Sequence, residues 1–356
     1  MYKRLVMYYF TGTGNALTVG RWLAKQARSR GIPFELIPID RFNKPVAAPA
    51  GKDILLGLLY PTHGFSLPWY MLKFMLAFPR ERRHLFCLNT FGGTKIGRVH
   101  LPGLSGIALI LPALLFFLKG FRIRGLVSIN LPSNWISLHP GLTSSAVASL
   151  AEHCRKKAYR FAEALLQGRR SYRGLISLPF DLAVSPIALG YMLVGRFWLA
   201  KMYLANSECN GCGICHKQCP VNAIVMKRNR PFWTFRCESC MRCINICPVK
   251  AIQVSHVFTA VSAFCLYGLL FPLILSLALH YNENLASLLV SESQFISILR
   301  AWFLTGIMFL AYRMVHGLSR FRPINFLFAG LSLTRLRFWR RYLAPGVSVK
   351  DFKIKK

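Results

Sequence analysis

Eight of the eleven cysteines lie between Cys209 and Cys247, in two copies of one spacing. The first is Cys209-x-x-Cys212-x-x-Cys215-x-x-x-Cys219-Pro220; the second, starting 28 residues later, is Cys237-x-x-Cys240-x-x-Cys243-x-x-x-Cys247-Pro248. The match runs on past the cysteines, with Pro220-Val221-Asn222-Ala223-Ile224 echoed by Pro248-Val249-Lys250-Ala251-Ile252, so the segment is an internal duplication. This spacing holds cubane four-iron clusters: three thiolates of one loop grip three irons, and the fourth ligand comes from the other copy. One expected set is Cys209, Cys212, Cys215 and Cys247. The other is Cys237, Cys240, Cys243 and Cys219. Gly213, inside the first loop, allows the backbone to approach a cluster closely. Paired zinc sites would also use four thiolates each, but zinc knuckles do not carry a third Cys three residues on with Cys-Pro closing the run. Disulfides need an oxidising compartment, whereas the charge pattern described below places this segment on the cytoplasmic side.

A second group of residues has a different chemistry. Thr11, Gly12, Thr13, Gly14 and Asn15 follow an apolar run over 5–10 and open a predicted helix over 16–28. Two glycines turn the backbone so that successive N–H groups face inward, hydroxyls add donors, and the helix N-terminus completes a phosphate cradle. The string has neither the spacing of a dinucleotide fingerprint nor the Lys of a P-loop. Two further predicted strand ends carry small, hydroxyl and aromatic residues: Tyr60, Pro61, Thr62, His63, Gly64 and Phe65, then Asn89, Thr90, Phe91, Gly92 and Gly93. In a doubly wound sheet ligands bind at the carboxyl ends of strands, and these three loops suit a phosphate tail and a flat ring. Taken singly, Tyr60, Phe65 and Phe91 read as core or rim packing. His63 is the one candidate for acid–base work.

The elements that must carry these loops alternate along residues 1–167. Apolar strands are predicted over 34–39, 53–59, 84–88 and 124–129, and helices over 67–78, 106–118 and 144–166. Apolar strands separated by helices make an α/β, doubly wound parallel sheet. Residues 168–205 form a hydrophobic connector interrupted by Asp181, Arg196 and Lys201; a linker, an interfacial helix and packing for the next domain all fit it. Residues 206–255 hold the cysteine repeat in a small α+β domain. Cys87, Cys154 and Cys265 stand outside the repeat and read as small buried hydrophobes.

The chain's 356 residues are 54% hydrophobic and 16% charged, with 46 Lys plus Arg against 12 Asp plus Glu, a formal net charge of +34. Soluble domains are about 25% charged, and a disordered chain of such charge would be poor in apolar residues. Residues 257–279 carry no charge, enough for a bilayer core that needs about 20 residues. A second apolar stretch, 295–318, contains Arg300 and Arg313, which would have to snorkel. A transmembrane helical hairpin over 256–318 is expected. The intervening residues 280–294 hold two glutamates and no Lys or Arg, while residues beyond Tyr312 carry eleven basic residues and one acid. The positive-inside rule then puts the acidic loop outside and the redox segments and tail in the cytoplasm. The basic tail over 319–356, with Phe338, Trp339 and Tyr342, suits a leaflet of anionic lipid. The uncharged run 99–118 is expected to be a buried helix with its preceding loop, the alternative being a helix that dips into lipid.

Over about 209–254 the sequence resembles bacterial two-cluster ferredoxins. Residues 1–167 resemble flavodoxin, whose fold binds FMN through one phosphate loop and two loops flanking the ring. That resemblance implies that Thr11 to Asn15 hold the phosphate and that the loops at 60–65 and 89–93 flank the isoalloxazine. The family has a Thr or Ser after the Asn, where Ala16 stands here. The order of the two parts resembles bacterial and archaeal flavodoxin–ferredoxin fusion proteins, most of which lack so extensive an anchor. It implies two 4Fe-4S clusters and an FMN; the apolar C-terminal runs and the basic excess add the expectation of a membrane location, with a low-potential soluble electron donor and a membrane redox enzyme or quinone as partners. The implied role is a membrane-anchored electron-transfer protein; the alternative is a reductase acting directly on a lipid-soluble substrate. Nucleic acid is not an expected partner, because no recognition motif accompanies the charge.

Overall fold

A computed structural model describes residues 2–42, 45–51, 53–96, 99–101, 103–281, 284, 287 and 294–352. The apolar runs form strands β1 (Arg4–Tyr9), β2 (Phe34–Pro38), β3 (Ile54–Pro61) and β4 (His84–Thr90). A short antiparallel hairpin, β5 (Thr94–Ile96) and β6 (Val99–Leu101), precedes β7 (Arg122–Ile129). Five strands pair in parallel in the order β2-β1-β3-β4-β7, which is the flavodoxin-like order.

Alternation along each strand sorts its side chains onto two faces. Leu5, Met7, Tyr9, Leu55, Leu59, Phe86 and Leu88 pack against helices α1 (Asn15–Arg28) and α4 (Ser144–Leu166). Val6, Tyr8, Phe10, Leu56 and Leu58 face α2 (Trp69–Ala77) and α3 (Ile110–Leu118). The second core runs without a break into the cysteine domain, taking in Tyr203, Trp233, Ile244 and Ile252. The strands come together as the sequence predicts because β1, β3 and β4, covered on both sides, can be apolar throughout.

The run 99–118 differs from expectation. Its first residues pair in the β5–β6 hairpin, and α3 buries Pro112 and Phe116 while Leu114, Phe117 and Leu118 are exposed. Only one face of the helix is core.

The connector folds as two short helices, α5 (Leu178–Ala183) and α6 (Ser185–Gly190), a π-helical stretch Tyr191–Gly195, α7 (Arg196–Leu199) and strand β8 (Tyr203–Ala205). Buried Asp181 fastens it to the first domain by accepting from the Ser105 and Gly106 amides, both at 2.8 Å. In the cysteine domain a hairpin, β9 (Ile224–Lys227) and β10 (Arg230–Trp233), lies between short helices α8 (Ile214–Lys217) and α9 (Arg242–Ile246), and β11 (Ile252–Val254) pairs with β8.

Among the described residues, two helices are long and apolar enough to cross a membrane: α10 (His256–Tyr281) and α11 (Gln294–Leu318). Leu304, Met308, Tyr312 and Val315 on one side of α11 pack with Phe232, Phe258 and Leu266, so α11 is anchored to the cysteine domain. The acidic loop over 280–294 lies largely outside the described residues.

After a one-turn helix, α12 (Arg322–Asn325), the tail runs back across both redox domains. Phe338 is exposed, but Trp339 and Tyr342 are buried against protein, not free to enter lipid as expected. The Trp339 indole N–H donates to the Ile136 carbonyl at 2.6 Å, and the Tyr342 hydroxyl to Asn15 Oδ1 at 2.7 Å. Rings with a polar handle settle where apolar surface and an acceptor occur together, and the protein supplies both.

Candidate redox site

The cysteine duplication is visible in the backbone. Gly211, Gly213 and Asn222 have left-handed φ of 71°, 71° and 54°; their equivalents 28 residues on, Ser239, Met241 and Lys250, have 49°, 62° and 52°. The Ala223 amide donates to Cys219 Sγ at 3.2 Å and the Ala251 amide to Cys247 Sγ at 3.3 Å, again equivalent positions. Such N–H donors stabilise charge on sulfur.

The thiols gather in two electrostatic neighbourhoods. Cys215 feels Cys209, Cys247 and Cys212. Cys237 feels Cys240 and Cys219, Cys240 feels Cys219, and Cys243 feels Cys237 and Cys240, with Cys215 as its nearest link to the other group. Burial pushes Cys215 and Cys240 up to about 12, opposed by the His216 backbone and by Arg242 respectively and aided by neighbouring thiols, and it raises Cys237 and Cys243 as well. Bare thiolates are therefore disfavoured, and a metal has to displace the proton to bind. Among the described residues no three Cys, His, Asp or Glu side chains converge on a single ion.

At the carboxyl ends of the sheet lies a cavity of about 230 Å³. Thr11, Gly12, Thr13 and Asn15 line it from the first loop, Pro61, Thr62, His63, Gly64 and Phe65 from the second, and Thr90, Phe91 and Gly92 from the third. Four predicted residues stand behind these walls. Gly14, at φ 104°, donates its amide to Thr11 Oγ1. Tyr60 is buried below and donates to the Ala108 carbonyl. Asn89 holds the second loop through Thr62 Oγ1 at 2.8 Å and accepts from Ser128. Gly93 bridges to Pro132.

Other walls had no assigned role. Ser133, Asn134 and Trp135, after β7, line the cavity, and Asn134 donates to Thr13 Oγ1 at 2.8 Å. Tyr191 and Leu199 come from the connector and Ser239 from the second cysteine loop. The Tyr191 ring lies over Gly64, where any Cβ would stand 2.2 Å from it.

Three buried polar atoms of the lining have no partner among the described residues: His63 Nδ1, Thr90 Oγ1 and Ser239 Oγ. Orphaned polar groups cost stability unless a ligand satisfies them, so the cavity fits a ring with polar edges. His63 opens onto the cavity but is shielded from bulk water. Burial pushes its imidazole down to about 4, against a smaller opposing effect from the Glu238 backbone, and keeps it neutral at neutral pH.

The cavity and the second cysteine loop share a wall. A Cβ on Gly12 would lie 1.8 Å from the Cys240 carbonyl oxygen, so only glycine lets the two loops touch. Arg242, 1% exposed, donates to the Thr11 carbonyl at 2.6 Å and the Gln218 carbonyl at 3.1 Å, and pairs with Asp40 just beyond β2. Its neighbour Arg41 donates to the carbonyls of His216, Lys217 and Cys219. Buried Glu238 accepts from the Trp69 and Tyr70 amides at the start of α2, both at 3.0 Å. Burial raises its carboxyl to about 7, with Arg196 opposing. Lys201 is fully buried, its ammonium 4.3 Å from the Phe235 ring centroid and 5.0 Å from that of Tyr312; burial lowers it to about 8, with Cys237 opposing. The tail closes the opposite side of the first loop, with the Ala344 amide donating to the Thr13 carbonyl at 2.8 Å and Val347 packed on Gly14.

Residues 208–252 match the family described as "4Fe-4S dicluster domain". Among curated proteins, none matches the chain. Among solved structures the N-terminal part is similar to a flavodoxin from the domain Archaea, at 16% identity and a TM-score of 0.31, covering 46% of this chain and 99% of that one. It is similar to flavodoxin 1 from Bacillus cereus at 16% identity and a TM-score of 0.31, covering 45% and 97%. The rubredoxin oxygen:oxidoreductase from Desulfovibrio gigas is similar at 14% identity and a TM-score of 0.29, with 46% of this chain and 36% of that one covered. The fold assignment rests on the strand order. A flavodoxin-like sheet and a segment that matches a 4Fe-4S domain thus stand together in one chain.

Proposed function

We propose that the chain is a membrane-anchored electron-transfer protein, relaying electrons between FMN, two 4Fe-4S clusters and a membrane redox enzyme or quinone. A flavin exchanges one or two electrons and a cubane exchanges one, so together they convert paired into single transfers. Under this reading Thr11, Gly12, Thr13 and Asn15 hold the phosphate, and the loops at 61–65 and 90–92 hold the ring with His63 Nδ1 and Thr90 Oγ1 at its edge. Cys209, Cys212, Cys215 and Cys247 hold one cluster; Cys237, Cys240, Cys243 and Cys219 hold the other. The carrying observation is the contact of Gly12 with the Cys240 carbonyl: the phosphate-type loop and the second cysteine loop form one wall. Helices α10 and α11 supply the anchor, and the basic balance of the chain draws in acidic soluble donors.

The test is anaerobic purification from membranes with iron, sulfide and flavin measured on one sample. About eight irons per chain and one FMN are expected; a colourless preparation that does not bleach on reduction overturns the reading. Turnover of a quinone by the purified chain with dithionite alone would favour the reductase alternative, and strict dependence on a second protein the carrier.

A further inference from the structure

A second cavity, of about 390 Å³, lies on the cysteine domain, between the β9–β10 hairpin and the C-terminal end of α11. Lys227, Arg228, Arg230, Arg313 and Arg320 face it, with His316 beside them. Among the described residues none of these five cations pairs with a carboxylate. The hairpin accepts strain to present one of them: Arg228 and Asn229 have φ of 49° and 60°, the two-residue turn in which Asn-Gly is at ease and Arg is not. Arg230 donates to the Ala205 carbonyl at 3.0 Å and Lys227 stands over the Phe232 ring, but with no carboxylate to offset them among the described residues the converging cations repel one another, and an anion is the ligand that relieves them.

The neighbouring helix surface identifies which anion. Leu310, Met314 and Leu318 stand exposed on α11, with Leu310 one turn from Arg313 and Met314 one turn from Gly317. A cationic hollow at the end of an apolar helix has the layout of a headgroup beneath its acyl chains. We propose that this cavity binds a phosphate-bearing anion, the headgroup of an anionic phospholipid whose acyl chains lie along Leu310 and Met314. The site rests on the membrane reading given above. Gly317 keeps the hollow open, since a Cβ there meets nothing within 4 Å.

The test uses the full chain in detergent, offered equal phosphatidylglycerol and phosphatidylcholine, with bound lipid counted by native mass spectrometry. One phosphatidylglycerol per chain is expected to survive delipidation, with phosphatidylcholine lost. The double variant Arg228→Gln/Arg320→Gln should weaken its retention by roughly 30-fold, at about 1 kcal/mol per cation. Gly317→Phe should do likewise by filling the hollow with every charge in place. Unchanged iron content in both variants reports intact folding. Equal retention by wild type and both variants, or no headgroup preference, overturns the proposal. Inorganic phosphate binding as tightly as the lipid, and lost in the same variants, would keep the phosphate chemistry and overturn its lipid source. A chain that stays in vesicles of either lipid without preference ends this proposal and leaves the anchor standing; a chain released from both ends both.

Discussion

The two cysteine loops have the same backbone and opposite surroundings. In the first, Cys212 and Asn210 are exposed and glycines take the left-handed positions. In the second, the equivalent of Asn210 is buried Glu238, the equivalents of Gly211 and Gly213 are Ser239 and Met241, and the equivalent of Ile214 is buried Arg242. Duplication supplied one metal-binding fold twice, and changes between the cysteines turned one copy into an interface. Glu238 grips α2, Ser239 walls the cavity, and Arg242 grips the first loop. Under the proposed function the set that includes Cys240 is the one beside the cavity.

The contrast can be broken at the ligands first. Cys240→Ser should remove about four of eight irons and uncouple flavin from the remaining cluster in freeze-quench spectra. Cys212→Ser should lose the same iron yet leave that exchange intact; indistinguishable variants would mean that the two loops are not arranged in series.

Arg242→Met comes next. It strands Asp40 without its buried partner, at a cost of about 3–5 kcal/mol in denaturant unfolding. Asp40→Asn in the same chain should recover much of that loss, whereas nothing comparable is expected from Ile214→Met.

His63 gives a smaller, pH-dependent effect. Its folded value of about 4 lies below the ordinary 6.5, so the unfolded chain binds the proton first as pH falls. Stability should therefore drop between pH 6.5 and 4, with a slope of at most ~1.4 kcal/mol per pH unit, and His63→Gln should flatten it.

The smallest effect sharpens the comparison within the duplication. Ser239→Gly relieves a left-handed residue and should gain no more than ~1 kcal/mol, while Gly211→Ala should lose about that much. Equal and opposite shifts in unfolding midpoint would show that the strain belongs to the position in the repeat.

Much of this was legible from local pattern. Apolar runs marked every strand of the main sheet, and twelve of the sixteen predicted residues of the three loops line the cavity, because strand ends and turns are written in adjacent residues. Gly14, Tyr60, Asn89 and Gly93 stand behind that lining, a distinction spacing does not make. Tyr191, Leu199 and Arg242 left no signal: their roles arise from contacts made across long chain separations. The tail misled because Trp339 and Tyr342 among arginines look the same whether they meet lipid or a protein groove.

The strap formed by Tyr342, Ala344 and Val347 over Thr13, Gly14 and Asn15 brings nearly the last residues of the chain against nearly the first. Synthesis proceeds from the amino end, and early domains fold while later ones are still on the ribosome. The opening loop must then wait, uncapped, until the residues after α12 have been made and folded back onto it. Completion of the first domain is thereby made contingent on the folding of everything between the two segments, a built-in order of assembly.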